Sequence, residues 1–476
     1  MLCAPEGFVL SIELLRGFSE TYVLSYGRDE FAYLRMLERV VESQYPTGLE
    51  QDVPTTFVIA ATLLAATAPS STVASPAYEK RAGATCPTPY PTSGSYPSPS
   101  SGPYPYSQAR STLVSRQNNN SSLSFTGSQL IWTSEAAPNN GNSPAGVRAF
   151  RKTLSPPDGK TPSHLTIAFA IDNSADLFVN GEKIASEGNW FAAGTYCVPL
   201  KPCTNVIAFN ATNAGSTASH AALIVSADVT YTDGTTSHIV SDPSWRTSGR
   251  GAIPPGFEQP SFDDSAWETA VSEAAYPDSR TGAVPIAGSQ PISLTPSRTI
   301  WSSDAPDGGG LTPPETRVFR RTVTLPPGHT SASAQVLIEC DNEYSLYING
   351  RFIGTGTDWH NAGRYTVNNI QGQEVVIAVY AINDAPTSFA GLSAALDITS
   401  SDPSTCSNNC QSHTYVVTDD QWKVNNNVPS GFEQLGFDDS NWASAKQLRV
   451  FDSDRITVPA QDSAPGTPLS GAPAGN

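Results

Sequence analysis

The sequence predicts an all-β protein built from two consecutive copies of one β-sandwich. Three observations carry this. All eight tryptophans fall into four matched pairs: Trp132 with Trp301, Trp190 with Trp359, Trp245 with Trp422, and Trp267 with Trp442. Their offsets are 169, 169, 177 and 175 residues. Turn residues interrupt short apolar runs about every 8–12 positions, as in sandwiches. Neither copy shows sustained helical periodicity. Whatever the chain does must be something a duplicated unit can carry.

The elements repeat in order. Ile131-Trp132 matches Ile300-Trp301, and Arg148-Ala149-Phe150-Arg151 matches Arg317-Val318-Phe319-Arg320. Asp172-Asn173 followed by Asn180-Gly181 matches Asp341-Asn342 followed by Asn349-Gly350. Each Asn-Gly ends a strand-like run (Asp176-Leu-Phe-Val, Tyr344-Ser-Leu-Tyr-Ile) and signals a tight hairpin. Val206-Ile207-Ala208 with Asn213 matches Val376-Ile377-Ala378 with Asn383. Gly256-Phe-Glu-Gln and Phe262-Asp-Asp-Ser match Gly431-Phe-Glu-Gln and Phe437-Asp-Asp-Ser. The offset grows around Cys406–Cys410, a loop insertion that a surface turn tolerates.

Outside the copies the chain reads differently. Residues 57–68 are a 12-residue apolar run, too short to span a bilayer and the right length for a signal-peptide core. Lys80-Arg81 follows, a dibasic pair of the kind used in fungal propeptide processing. Residues 1–56 precede the run and read as an extension from a misassigned start or intron. The alternative is a genuine helical extension, with 57–68 as a buried segment. Residues 57–81 are thus the expected leader, 82–125 a disordered Pro/Ser/Tyr linker, 277–297 a second linker and 459–476 a disordered tail. The two copies are assigned to 126–276 and 298–458. N-glycosylation sequons begin at Asn119, Asn120 and Asn210; the last falls on a predicted strand and needs an exposed face.

Charged residues make up 15% of the chain and the net charge is −17, so no basic stripe exists to neutralise phosphates. Nucleic acid is excluded as a partner on that ground. The composition, rich in Ser, Thr, Pro and Gly, fits a secreted protein. Cys197/Cys203 and Cys406/Cys410 are close pairs in loop-like sequence, and short loop-closing disulfides or free loop thiols are the two readings. Neither pair has zinc-ligand spacing. Cys340 aligns with Ile171 and reads as a small buried apolar residue.

The order Trp, Arg-x-Phe-Arg, Asp-Asn-x6-Asn-Gly, a loop Trp, an Ile-Ala strand, Asp-x-x-Trp and Phe-Asp-Asp-Ser-x-Trp resembles the galactose-binding-domain-like jelly-roll modules of glycoside hydrolases. Rhamnosidase and β-galactosidase accessory domains are similar. The resemblance implies two tandem jelly-roll sandwiches behind a disordered Pro/Ser-rich linker, and it covers about 130–276 and 298–452. It also implies that the Asp172-Asn173 and Asp341-Asn342 corners bind calcium, and through it sugar hydroxyls. Carboxylate and amide oxygens suit that hard cation. The same residues also make an ordinary turn.

Trp190 and Trp359 follow the Asn-Gly turns and could stack on the C–H face of a sugar or plug one end of the sandwich. Arg148, Arg151, Arg317 and Arg320 could bracket a sugar through bidentate hydrogen bonds, or form salt bridges on the strand surface. Asn213 and Asn383 could approach the same edge. The remaining six tryptophans read as core and corner residues. Asp263-Asp264 is not an acid/base pair, because neighbouring strand residues point to opposite faces. The six histidines do not occupy matched positions, and no nucleophile–base arrangement or phosphate loop is present.

The expected function is therefore a secreted, non-catalytic, lectin-like protein binding cell-wall or plant glycans through two modules, monomeric and without a membrane span. Calcium is the one cofactor expected. A remnant or accessory part of a glycoside hydrolase and a structural wall protein without a specific ligand are the alternatives.

Overall fold

The computed structural model describes residues 8–14, 18–24, 123–136, 141–279, 282–384, 388–403, 410–452 and 454–476. The expected leader, Asn119, Asn120 and Cys406 lie outside these residues. The chain forms two units, Met1–Ser93 and Gly94–Asn476. In the first, β1 (Phe8–Leu14) and β2 (Phe18–Leu24) pair antiparallel with Phe8 opposite Leu24. The described part of the N-terminal extension is thus a hairpin rather than the helix that was one of its two readings.

The second unit is all-β, as expected. Its first repeat runs through β3 (Gln129–Trp132), β4 (Asn142–Ser143), β5 (Gly146–Leu154), β6 (Pro162–Asp172) and β7 (Ser174–Val179). It continues with β8 (Glu182–Glu187), β9 (Thr195–Pro199), β10 (Asn205–Asn213), β11 (Ser219–His220) and β12 (Ala222–Tyr231). It closes with β13 (Thr236–Val240), β14 (Arg246–Thr247), β15 (Glu268–Thr269) and β16 (Val271–Ala275). The second repeat runs through β17 (Arg298–Trp301), β18 (Leu311–Thr312), β19 (Glu315–Thr324), β20 (Ser331–Asp341) and β21 (Glu343–Ile348). Then come β22 (Arg351–Gly356), β23 (Gly363–Gln371), β24 (Glu374–Asn383), β25 (Ser388–Phe389) and β26 (Gly391–Ser400). The last strands are β27 (Ser412–Val417), β28 (Lys423–Asn425), β29 (Ala443–Ser444) and β30 (Lys446–Val450).

The two repeats share one topology. One face of the first sandwich has the order β15-β14-β5-β10-β7-β8, and one face of the second has β29-β28-β19-β24-β21-β22. The opposing sheets run β16-β3-β12-β6-β9 and β30-β17-β26-β20-β23. The alternation of side chains turns one face of each strand inward. Trp132, Trp245, Trp301 and Trp422 are fully buried between the sheets, and Cys340 fills the place of Ile171 in the second core. The Asn-Gly hairpins form as their chemistry requires: Asn180 and Gly181 have φ of 53° and 91°, Asn349 and Gly350 of 48° and 79°. A side chain at either glycine would meet Gln259 or Gln434.

A buried arginine ties each corner. Arg151 Nε donates to Asp264 (2.8 Å) and its guanidinium reaches the Phe257 carbonyl; Arg320 does the same with Asp439 (2.8 Å) and the Phe432 carbonyl. Each cation lies over a phenylalanine, Phe262 or Phe437, which meets Trp267 or Trp442 edge to face. The Phe-Asp-Asp-Ser-x-Trp motif is therefore a structural corner.

The described parts of three segments expected to be disordered or linking are packed. Leu123 and Phe125, placed in the first linker, are buried against the outer face of β6 and β12. In 277–297, Val284, Ile286, Ala287, Ile292 and Leu294 are buried, the last three within the apolar cluster that joins the two repeats. The tail after Val458 runs along the second repeat: Tyr380 and Tyr347 donate to the Ser470 and Pro473 carbonyls, and Ser345 Oγ accepts from Leu469 N. Composition predicts disorder in the first and last and a linker in the second; a few apolar anchors per segment offset the ordering entropy.

The disulfide joins the repeats. Cys197 of β9 is bonded to Cys410, 213 residues away, with their Cα atoms 5.2 Å apart. This corrects both expected short pairings, Cys197 with Cys203 and Cys406 with Cys410. Thr195 on β9 faces His413 on β27, and this edge-to-edge register brings Cys197 beside the segment that precedes β27.

Candidate functional site

The Asp-Asn corners end β6 and β20, at one rim of each sandwich. In both, the peptide between Asp and Asn is cis. Asn173 Oδ1 accepts from Ala214 N (2.6 Å), and Asn342 Oδ1 accepts from Asp384 N (3.0 Å). Part of each amide thus shapes the turn. Asp172 Oδ2 lies 3.2 Å from His220 Nδ1. Asp341 makes no hydrogen bond or ion pair of its own among the described residues; burial pushes its carboxyl up to about 6, with Arg449 opposing and Asp384 adding to the shift.

The other proposed contacts are placed less favourably. Arg148 is buried, with Nε donating to Glu135 (2.6 Å) and Nη1 to the Val147 carbonyl (2.7 Å). Arg317 is buried too, donating to Ser302, Asp304 and Glu315. Of their two readings, the geometry gives the ion pairs. Asn213 and Asn383 are fully buried staples. Asn213 Nδ2 donates to the Ser143 carbonyl (2.8 Å) and its Oδ1 accepts from Ser219 (2.9 Å); Asn383 bonds Pro313 and Ser388 in the same way. None of these four side chains reaches the rim as a free group.

Trp190 and Trp359 are both half-buried, unlike the sealed core tryptophans. Trp359 stacks on His360, ring centroids 3.6 Å apart, beside Asp358. Trp190 meets Phe191 edge to face, and Arg298 of the second repeat caps both rings, 5.7 Å and 4.2 Å from their centroids. Trp190 and Asp172 line one small pocket. Leu130, Ala170, Ala222 and Ile224 form its floor and Val284 part of its wall. The indole, the apolar floor and a single carboxylate converge at this one place.

The second repeat has the same backbone there and different chemistry. In the first, Ala274 pairs with Leu130 and Ile224 with Ala170, and the Ile131–Leu223 pair sets Leu130 beside Ile224. In the second, Arg449 pairs with Thr299 and Ser393 with Glu339, and Thr299 Oγ1 lies 3.1 Å from Ser393 Oγ. Glu339 is buried, and that burial, with Asp341 close by, pushes its carboxyl up to about 8 against the pull of Arg449. Phe389 occupies the place of His220 and lies under Arg449, 5.8 Å from ring centroid to guanidinium.

No protein-family model matches the chain. An α-L-rhamnosidase of Streptomyces avermitilis is 32% identical over 162 residues, 32% of this chain and 15% of that enzyme. The chain therefore matches only a small part of the curated relative. Among solved structures, a lectin from Pleurotus ostreatus in complex with GalNAc is 33% identical, with 68% of this chain and 91% of that one covered and a TM-score of 0.33. The S. avermitilis α-L-rhamnosidase complexed with L-rhamnose is 22% identical, with 70% and 33% covered and a TM-score of 0.31.

His220, Arg298, Glu339 and Arg449 were not among the expected site residues. The histidines do not occupy matched positions in the two copies. That mismatch was the available signal: paired positions that differ in polarity mark where the copies have diverged.

Asn210, the described sequon, lies half-buried at the centre of the sheet, between Ala149 and Asp176. Its Oδ1 is buried without a hydrogen-bond partner among the described residues.

Proposed function

We propose that the chain is a secreted, non-catalytic carbohydrate-binding protein whose two repeats each offer a rim site, with calcium assisting at the Asp-Asn corner. The observation that carries the reading is the Trp190–Asp172 pocket. A pyranose has an apolar C–H face and a polar hydroxyl edge, and an indole wall beside one carboxylate matches both. Supporting it is the sequence likeness to part of a rhamnosidase. The same likeness favours a second reading, an accessory part of a glycoside hydrolase.

The corners differ as cation sites. Near Asp341, Glu343 and Asp384 add negative charge: burial and Asp384 push the Glu343 carboxyl up, and a cation would relieve that repulsion. Ser174 and Ala214 hold those places in the first repeat. Among the described residues no three acidic, His or Cys side chains converge as a metal site, so the Asn342 amide oxygen, carbonyls and water would complete the set.

Glycan-array binding, with and without a calcium chelator, tests the reading. Binding lost with chelator, and lost in Asp172→Ala/Asp341→Ala, is the expected result. Binding that survives both treatments removes calcium and keeps the sugar. No binding to any glycan removes the proposal. Secretion belongs to the same proposal and is tested by mass spectrometry of the mature protein, which should find the half-buried Asn210 unmodified.

A further inference from the structure

We propose that the first repeat carries a binding site for a carboxylate on a short arm, made by Trp132, Gly146 and Arg148, which the second repeat fills with its own Glu315. The site uses none of the residues of the Trp190–Asp172 pocket and does not rest on the carbohydrate-binding reading.

In the second repeat one carboxylate joins two buried donors. Trp301 Nε1 donates to Glu315 Oε1 (2.5 Å), and Arg317 Nη2 donates to Glu315 Oε2. Trp301 and Arg317 are withdrawn from water, and the Glu315 side chain is itself only 11% exposed. The arrangement is a two-pronged, charge-assisted clamp on one anion. Glu315 opens β19 opposite Asn383, and Gly146 opens β5 opposite Asn213. Gly146 therefore stands where Glu315 stands, and the first repeat lacks that carboxylate and its two methylenes.

The two donors are kept. Trp132 meets Phe150 with ring centroids 5.4 Å apart and planes at 48°, and Trp301 meets Phe319 at 5.4 Å and 53°, so the two indoles sit alike. Trp132 is fully buried, and its Nε1 has no hydrogen-bond partner among the described residues. Arg148 is engaged through Nε with Glu135 and through Nη1 with the Val147 carbonyl. Its Nη2, the counterpart of the nitrogen that holds Glu315, has no such partner among the described residues. A buried N–H left unpaired is costly, and an anion that reaches both nitrogens relieves that cost.

The way in runs past Gly146. It is half-buried between exposed Ala145 and Val147, and its φ of 133° suits glycine. A side-chain carbon placed on it would lie 3.1 Å from Arg148 Nη1 and near nothing else. Charge around the site differs in the same sense. Glu135 is shared by two cations, Arg148 and the exposed Arg250, whereas Arg317 is shared by two acids, Asp304 and Glu315. An incoming anion faces Glu135 across Arg148 as Glu315 faces Asp304 across Arg317. The neighbouring acid Glu268 is held by Ser134 (2.8 Å). The group that Glu315 supplies has the size and charge of propionate. The ligand is thus a short-chain carboxylic acid, either free or borne as an acidic substituent on a sugar.

The test follows the indole N–H resonances of full-length protein with isotope-labelled tryptophan. One resonance, identified by its loss in Trp132→Phe, is expected to shift and saturate with propionate and to stay still with propionamide, the neutral counterpart of the same shape. N-acetylmuramic acid, which carries a lactyl arm, is compared with N-acetylglucosamine, which lacks it. A response to that acidic sugar assigns the site to a glycan substituent; a response to propionate alone assigns it to a free acid. Gly146→Glu, which installs the residue of the second repeat, is expected to abolish the response. If that variant does not fold, Glu315→Gly serves in its place and is expected to add a second responding indole, that of Trp301. No shift of Trp132 with either acid, or equal shifts with an acid and its neutral counterpart, overturns the inference. A response from Trp301 in Glu315→Gly with none from Trp132 overturns it as well.

Discussion

The two repeats agree on the inner face of each sheet and part company on the outer face. Inside, Ile131, Ile171 and Leu223 correspond to Ile300, Cys340 and Leu392, all buried and apolar. Outside, on strands paired in the same way, Leu130, Ala170 and Ile224 correspond to Thr299, Glu339 and Ser393. The inner face must interdigitate with an opposing sheet at near-crystal density, which leaves little freedom. The outer face near the rim answers only to what covers it. The first repeat is covered by Leu123, Phe125, Val284 and Ile286, the second by an ion-rich surface around Arg449. Divergence between copies therefore marks the segments that cover the outer face, while agreement marks packing.

The largest expected effect breaks the inner face. Trp301→Ala removes a fully buried indole and should cost about 3–5 kcal/mol in urea unfolding. Its rim counterpart, Trp359→Ala, should change stability by about 0.5 kcal/mol or less, because that half-buried ring stacks on exposed His360 outside the core clusters. Similar costs for the two would show that the rim tryptophan is a packing residue, and the contrast between faces would fail at that point.

The next effect concerns the joint. Cys197→Ser opens a cross-link between residues 213 apart and should cost roughly 2–5 kcal/mol, at the long-loop end of disulfide contributions. The repeats also share the buried cluster of Ala192, Ile292, Leu294, Leu337, Tyr415 and Phe451. Calorimetry of the variant should show the single transition broadening toward two. An unchanged, single, sharp transition would assign the cooperativity to the apolar cluster alone.

Much of this architecture was legible in the residues. Matched tryptophans gave the duplication, Asn-Gly dipeptides gave both tight hairpins, and Phe-Asp-Asp-Ser-x-Trp gave the corners. These are local signals with local causes. The disulfide was not legible, because nothing in the spacing of Cys197 and Cys410 shows that strands from different repeats meet edge to edge. Nor were the packed linker and tail, whose average composition hides single anchors such as Ile286 and Leu469. The site was legible in part. Trp190 and Asp172 do share a pocket, but Arg148, Arg317, Asn213 and Asn383 are polar residues that the fold consumes. Sequence shows a residue's hydrogen-bonding capacity and not whether a neighbour has already used it.

A smaller effect separates the repeats at the opposite face. Truncation after Val458 removes the segment that Tyr347, Tyr380 and Ser345 hold, and with it the cover over part of the apolar cluster around Phe352 and Ile382. The loss should be about 1–3 kcal/mol, chiefly from one leucine-sized contact, because water replaces most of the segment's surface hydrogen bonds at little net cost. Hydrogen exchange should rise in β21, β22 and β24 and remain unchanged in β7, β8 and β10, which have no such cover. Equal protection in full-length and truncated protein would make the tail a passive appendage.

The smallest effect is the pH dependence, and it too is unevenly placed. Burial pushes four carboxyls up: Glu187 to about 7, Glu339 to about 8, and Asp341 and Asp419 to about 6. Asp341 and Glu339 belong to the rim of the second repeat. Glu187, bonded to Tyr196, and Asp419, bonded to Asn189, face the joint between repeats. A carboxyl whose folded value lies above its ordinary value of about 4 holds its proton more tightly when folded. Its contribution is fully present below about pH 4 and is lost as pH rises through the folded value. Thermal midpoints should therefore fall from pH 5 to pH 9, most steeply between about 6 and 8. General repulsion in a chain of net charge −17 acts in the same direction, so the wild-type slope alone is not decisive. Glu339→Gln keeps shape and hydrogen bonding while removing one titration. It should flatten the fall between pH 7 and 9 and leave the fall below pH 7 in place. A slope unchanged in that variant would mean that the carboxyl stays charged beside Arg449 throughout, and that the polar floor of the second repeat is an ion pair rather than a buried acid.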